Sequence, residues 1–165
     1  MIQLLHKADQ NSNSFTGIRK FVLSPNDYKK GDNVLFTNDI EEITEDIDFI
    51  ITNSIELFEK YKDSKNILYF KQQIEAIEEN AIAKIDNDIL YFKYMSSSTN
   101  SQALFFTKKC NHYCLMCSEP PSKDNFDFLI EENIKIVELL NKDAYIGELG
   151  HLNRKHLDSL CKNIF

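Results

Sequence analysis

The stretch Ala103-Leu104-Phe105-Phe106-Thr107-Lys108-Lys109-Cys110-Asn111-His112-Tyr113-Cys114-Leu115-Met116-Cys117 decides the fold expected of this chain. Its first five residues are a nearly continuous apolar run, as a parallel strand buried on both faces requires. The cysteines follow directly in the spacing Cys-x3-Cys-x2-Cys, so one short loop carries three thiolates. Thiolates are the usual ligands of a [4Fe-4S] cluster, and four would close it. Three leave one iron open to a further ligand.

Two other readings of the cysteines stand beside this one. A Cys3His zinc site could use His112 or a more distant histidine. Zinc sites, however, commonly join a Cys-x2-Cys pair to a second pair farther along, and the sequence has no such second pair. The three cysteines could also cluster by chance with no metal role. Cys161 sits on an apolar helical stripe with Leu157 and Leu160 and reads as a small buried hydrophobe. The start of the chain, residues 1–7, is soon interrupted by Asp9, Gln10 and Asn11, too short and too polar for a signal peptide. The expectation is a cytoplasmic protein whose cysteines stay reduced and serve metal binding rather than disulfides.

Downstream of the loop the pattern is α/β. Pro120-Pro121 stiffens the exit, and Asp124 is a good N-cap for a helix over residues 125–141. Phe126, Leu129, Ile130, Ile134, Val137 and Leu140 recur at helical spacing within it. Ala144-Tyr145-Ile146-Gly147 predicts a second strand, and Leu152, Leu157 and Leu160 a second helix from about Asn153. The order strand, cysteine loop, helix, strand, helix makes two βα units. A loop at the carboxyl end of a parallel strand is where barrels of this class place their chemistry.

Upstream, Ser96-Ser97-Ser98-Thr99-Asn100-Ser101 is a polar run and the best boundary in the chain. It separates a β-rich N-terminal domain, residues 1–95, from an α/β domain, residues 102–165, for an α+β whole. Phe21-Val22-Leu23, Val34-Leu35-Phe36, Phe49-Ile50-Ile51, Ile67-Leu68-Tyr69-Phe70 and residues 89–95 read as strands. Asn26-Asp27 and Lys30-Gly31-Asp32-Asn33 supply turns between them. Ser54 followed by Ile55, Leu57, Phe58 and Tyr61 predicts a short capped helix, its acidic residues early and its lysines late. Residues 82–84 read either as a strand or as the end of a helix begun near Gln72.

The 165 residues suffice for one ordinary domain or two very small ones. Twelve Phe and seven Tyr provide core material, while only four Gly and three Pro argue against a loop-dominated chain. A net charge of −7 speaks against a nucleic-acid partner, which would need a basic footprint. No apolar run approaches the ~18 residues of a membrane span, so no membrane partner is expected.

Beyond the cysteine spacing, residues 100–121 resemble the first strand and cluster loop of the radical S-adenosylmethionine (SAM) superfamily. Within them, Cys-Asn-x-Tyr-Cys-Leu-Met-Cys-Ser-x-Pro-Pro is similar to the radical SAM maturases of His-Xaa-Ser peptide systems. The similarity extends over about residues 82–145. It implies a partial (βα)6 barrel, a [4Fe-4S] cluster, SAM as second cofactor and a peptide or protein substrate bearing His-Xaa-Ser repeats. By the same resemblance Cys110, Cys114 and Cys117 are the cluster ligands. Met116 stands where many of these enzymes place an aromatic residue near the adenine, and a flexible thioether can pack there.

The family usually carries Gly-Gly-Glu-Pro at the end of the second strand, holding the SAM amino group. Here the matching residues are Ile146-Gly147-Glu148-Leu149, so Gly147 and Glu148 remain while a Gly and the Pro are replaced. The alternative for Gly147-Glu148 is an ordinary strand-to-helix turn. Only two of the six βα units precede Phe165. That leaves three expectations: a fragment, a partner chain that completes the barrel, or an N-terminal region that covers the exposed sheet. The functional expectation is a peptide-modifying radical SAM protein. The alternatives are a truncated, inactive relative and a small zinc-binding interaction module.

Overall fold

The computed structural model describes residues 5–41, 43–74, 77–95, 102–105, 127–141 and 146–149. The chain separates between Ser97 and Ser98 into two compact units. A mixed sheet, a two-stranded parallel pair and two α-helices make the class α+β.

The first unit is built on strands β1 (Leu5–Lys7), β2 (Gln10–Asn11), β3 (Thr16–Val22), β4 (Asn33–Phe36), β5 (Phe49–Thr52), β6 (Asn66–Tyr69), β7 (Ile82–Asp86) and β8 (Ile89–Tyr94). Their order in the sheet is β1-β8-β7-β3-β4-β5-β6-β2. β3 to β6 run parallel in sequence order, while β7, β8 and β1 are each antiparallel to their neighbours. The two outermost strands, β1 and β2, belong to one stretch of chain. Its Ala8 N–H donates to the Asp88 carbonyl (2.7 Å), and the next N–H, that of Asp9, donates to the Tyr69 carbonyl (2.9 Å). One segment therefore pairs with both ends of the sheet and closes it into a ring, which removes the open edges a flat sheet would leave.

Neighbouring residues along the parallel strands divide between two cores, as the period of two demands. Phe21, Val34, Phe49, Ile51 and Leu68 share one cluster with Ala83, Ile85, Leu90 and Phe92. Val22, Leu35, Ile50 and Ile67 point the other way, against Leu57 and Phe58 of α1 (Ile55–Tyr61). Burial on both faces is why these strands read as unbroken apolar runs rather than alternating ones. Helix α1 crosses between the parallel strands β5 and β6, and complete burial of Leu57 and Phe58 contributes about 1.5–3 kcal/mol each. The Ser54 hydroxyl accepts from the Leu57 N–H and caps the helix.

The stretch at residues 82–84 is the strand β7, whose Ile82, Ala83 and Ile85 are all buried. A helix there would have left half of that apolar run unsatisfied. Asn87-Asp88 forms a two-residue turn to β8, with Asn87 at φ 56°, a conformation that asparagine tolerates better than most residues. No helix among the described residues is long and apolar enough to cross a membrane.

Candidate functional site

The second unit contains β9 (Gln102–Phe105), α2 (Asp127–Leu139) and β10 (Ile146–Leu149). β9 and β10 pair in parallel, Ile146 opposite Gln102 and Leu149 opposite Phe105. Parallel neighbours cannot be joined by a hairpin, so the chain between them makes a crossover, and α2 lies in it. This is a βαβ unit.

The three cysteines belong to the segment between the end of β9 and the start of α2. Phe105 closes β9 five positions before Cys110, and Asp127 opens α2 ten positions after Cys117. The segment therefore leaves the carboxyl end of a parallel strand and returns through a helix, the topology in which α/β proteins hold ligands. Cys110, Cys114, Cys117 and Met116 themselves lie outside the described residues, as do Cys161, the Asp124 cap and the helix expected from about Asn153. Among the described residues, no group of three or more His, Cys, Asp or Glu is placed to hold a metal ion. None of the four cysteines is among those residues.

Gly147 and Glu148 lie inside β10, paired with Ala103 and Leu104, rather than in a turn beyond it. The ladder with β9 carries the strand past Gly147 to Leu149, two residues beyond the apolar pattern. A glycine within a strand weakens it and often marks a place where a ligand or another backbone comes close. The donor set fits an iron-sulfur cluster: three thiolates within eight residues, on a segment long enough to wrap a cofactor at the strand end.

Helix α2 buries Asn133, Ile136 and Leu139, one face at helical spacing, and leaves Phe128 half exposed. Lys135 and Glu138 pair on its surface at 3.7 Å.

Polar side chains also gather where the parallel strands of the first unit end, a feature that the strand pattern alone does not reveal. The Asn38 Oδ1 accepts from the Thr52 hydroxyl (3.0 Å) and from the Asn53 N–H (2.7 Å). The Asn53 amide donates to the carbonyls of Phe70 and Gln72. The Ser54 N–H donates to the Thr52 hydroxyl (2.9 Å). These bonds run between loops of the same unit, so the cluster fixes the ends of β4, β5 and β6. At the opposite ends of these strands, the Tyr28 hydroxyl donates to the Asp48 carboxylate and accepts from the Asp48 and Phe49 N–H groups. Burial, reinforced by Asp48, pushes the Tyr28 phenol far above its ordinary range. The Lys65 ammonium donates to the carbonyls of Thr44, Glu45 and Ile47, holding the loop that leads into β5.

No protein-family model matches this chain, and neither a curated protein nor a solved structure is significantly similar to it.

Proposed function

We propose that this chain is a radical SAM protein of the peptide-maturase type, holding a [4Fe-4S] cluster on Cys110, Cys114 and Cys117. The observation that carries the proposal is the Cys-x3-Cys-x2-Cys spacing on the segment that links β9 to α2 in a parallel βαβ unit. Three thiolates would hold three irons of such a cluster and leave the fourth for SAM. When bound and reduced, the cluster supplies the electron that cleaves a carbon–sulfur bond of SAM. The chain's own residues would place the cofactors: by the resemblance, Met116 would stand on the side of the adenine, and the Gly147-Glu148 backbone, free of a bulky side chain at Gly147, would receive the amino group. The βαβ unit would belong to a barrel of the (βα)6 class, and the substrate would be a peptide with His-Xaa-Ser repeats.

The replacement of the family's Gly-Gly-Glu-Pro by Ile146-Gly147-Glu148-Leu149 favours a second reading, a relative that binds the cluster without cleaving SAM. A β-branched Ile restricts the backbone where glycine would permit close approach. One preparation separates the two. The protein is reconstituted anaerobically with iron and sulfide, its visible and electron paramagnetic resonance spectra are recorded, and SAM with a reductant is added. The proposal expects a brown protein that releases 5′-deoxyadenosine. A brown protein that never releases it supports the second reading, and a colourless protein with one bound zinc overturns both.

A further inference from the structure

The segment that closes the sheet of the first unit is its least buried strand. Of residues 5–12, only Ala8 is a buried hydrophobic; Leu5 is 54% exposed, and Lys7, Asp9 and Gln10 are exposed. His6 stands edge-on to Phe92, and its Nε2 is sealed from solvent without a hydrogen-bond partner. Three residue pairs to β8 and two to β6 hold it, together with the Lys7–Asp88 ion pair (3.5 Å) and the Lys71 N–H, which donates to the Asp9 carboxylate (2.7 Å). The edges it covers are better buried, with Ile67, Leu68, Leu90 and Phe92 all in the core.

Removal of this segment would bare the backbone donors and acceptors of β8, which residues 5–7 cover, and of β6, which residues 10–11 cover, leaving a slot that consecutive parts of one segment fill. Such a slot is costly to leave empty and takes up an extended strand. The strand known to satisfy both edges in register is the one already there.

The chain that follows the segment is a short surface connection. Ser12 ends it, its hydroxyl donating to the Lys65 carbonyl (2.9 Å) and accepting from the Ile67 N–H (2.9 Å). Asn13 and Ser14 follow and are exposed; the Asn13 N–H donates to the Asn11 side chain (3.0 Å) and the Ser14 hydroxyl donates to the Asn87 side chain. Phe15 is then anchored, its ring 4.7 Å from that of Phe49 and 4.8 Å from the Arg19 guanidinium carbon. Asn13-Ser14 is thus a short, exposed polar connection between a strand with little apolar burial and a fixed one.

We infer that residues 5–12 are an exchangeable closing strand, and that the slot between β6 and β8 accepts the same segment of a second copy of this chain, giving a reciprocal strand-exchanged dimer. The inference is independent of the proposed function. Monomer and dimer contain the same pairings, so the connection and the concentration decide between them.

The test deletes Asn13 and Ser14 from the full chain and measures mass by light scattering, with circular dichroism as the check on folding. Without the two residues the connection cannot span from Ser12 to Phe15 within one molecule, so a folded dimer is expected, while the unaltered chain is mainly monomer with a dimer fraction that grows with concentration. A folded monomer of the deletion variant overturns the inference. Where that variant does not fold, the unaltered chain is titrated with a synthetic peptide of residues 3–14. Saturable binding, with amide shifts concentrated at Ile67, Tyr69, Ile89 and Tyr91, is the expected result. Absence of binding at large peptide excess overturns the inference.

Discussion

Single residues show how differently the sequence announces its constraints. Gly31 falls in a turn that its neighbours Lys30, Asp32 and Asn33 already suggest, and it adopts φ 89° with open space where a Cβ would stand. Gly31→Ala is therefore opposed by backbone conformation alone, and a loss of about 1–2 kcal/mol in urea unfolding is expected. Tyr28 gives no such signal. Nothing in Ser24-Pro25-Asn26-Asp27-Tyr28 indicates that its hydroxyl will meet the Asp48 carboxylate and two N–H groups twenty residues on. Tyr28→Phe leaves those N–H groups without their acceptor, at a cost of about 1–3 kcal/mol.

The same residue has a pH signature. The folded state holds the Tyr28 proton more tightly than the unfolded state, whose phenol titrates near 10.0. Between the two values the unfolded chain binds fewer protons, so this contribution is present in full below pH ~10 and is lost as pH rises beyond it. Unfolding free energies should fall more steeply above that pH in the native chain than in Tyr28→Phe. Equal slopes would remove Tyr28 as the cause.

Elements with both faces buried were the most legible. Phe49-Ile50-Ile51 and Ile67-Leu68 are strands because their apolar runs feed two cores at once. Helix α1 follows from its cap and the spacing of Leu57 and Phe58. Ser54→Ala should lower stability by about 1 kcal/mol, and Ser54→Asp should largely restore it; a silent Ser54→Ala would mean that tertiary packing alone sets the helix start. β1 and β2 were not legible. Leu5-His6-Lys7 and Gln10-Asn11 have neither alternation nor β-branched residues, and their strand character comes from edges supplied by β8 and β6. β10 illustrates a smaller difference: the apolar pattern ends at Gly147, while pairing with β9 carries the strand on to Leu149.

At the scale of the whole molecule, the polar run 96–101 indicates two bodies, and contact density divides the chain between Ser97 and Ser98. The first unit has its own closed sheet and two cores, so residues 1–97 should unfold in one cooperative transition when expressed alone. A broad, non-cooperative melt would show that it needs the second unit. The proposed cluster site belongs to the second unit, where cysteine spacing carries more than the described fold: the βαβ topology puts the cysteine-bearing segment between β9 and α2, and only its residue types bear on its chemistry. The most direct measurement is iron and acid-labile sulfide per chain after anaerobic reconstitution, in the native protein and in a Cys110→Ala, Cys114→Ala, Cys117→Ala triple variant. About four irons and four sulfides per native chain, and none in the triple variant, is the predicted result. A native chain that binds zinc instead, or a triple variant that keeps its iron, would contradict it.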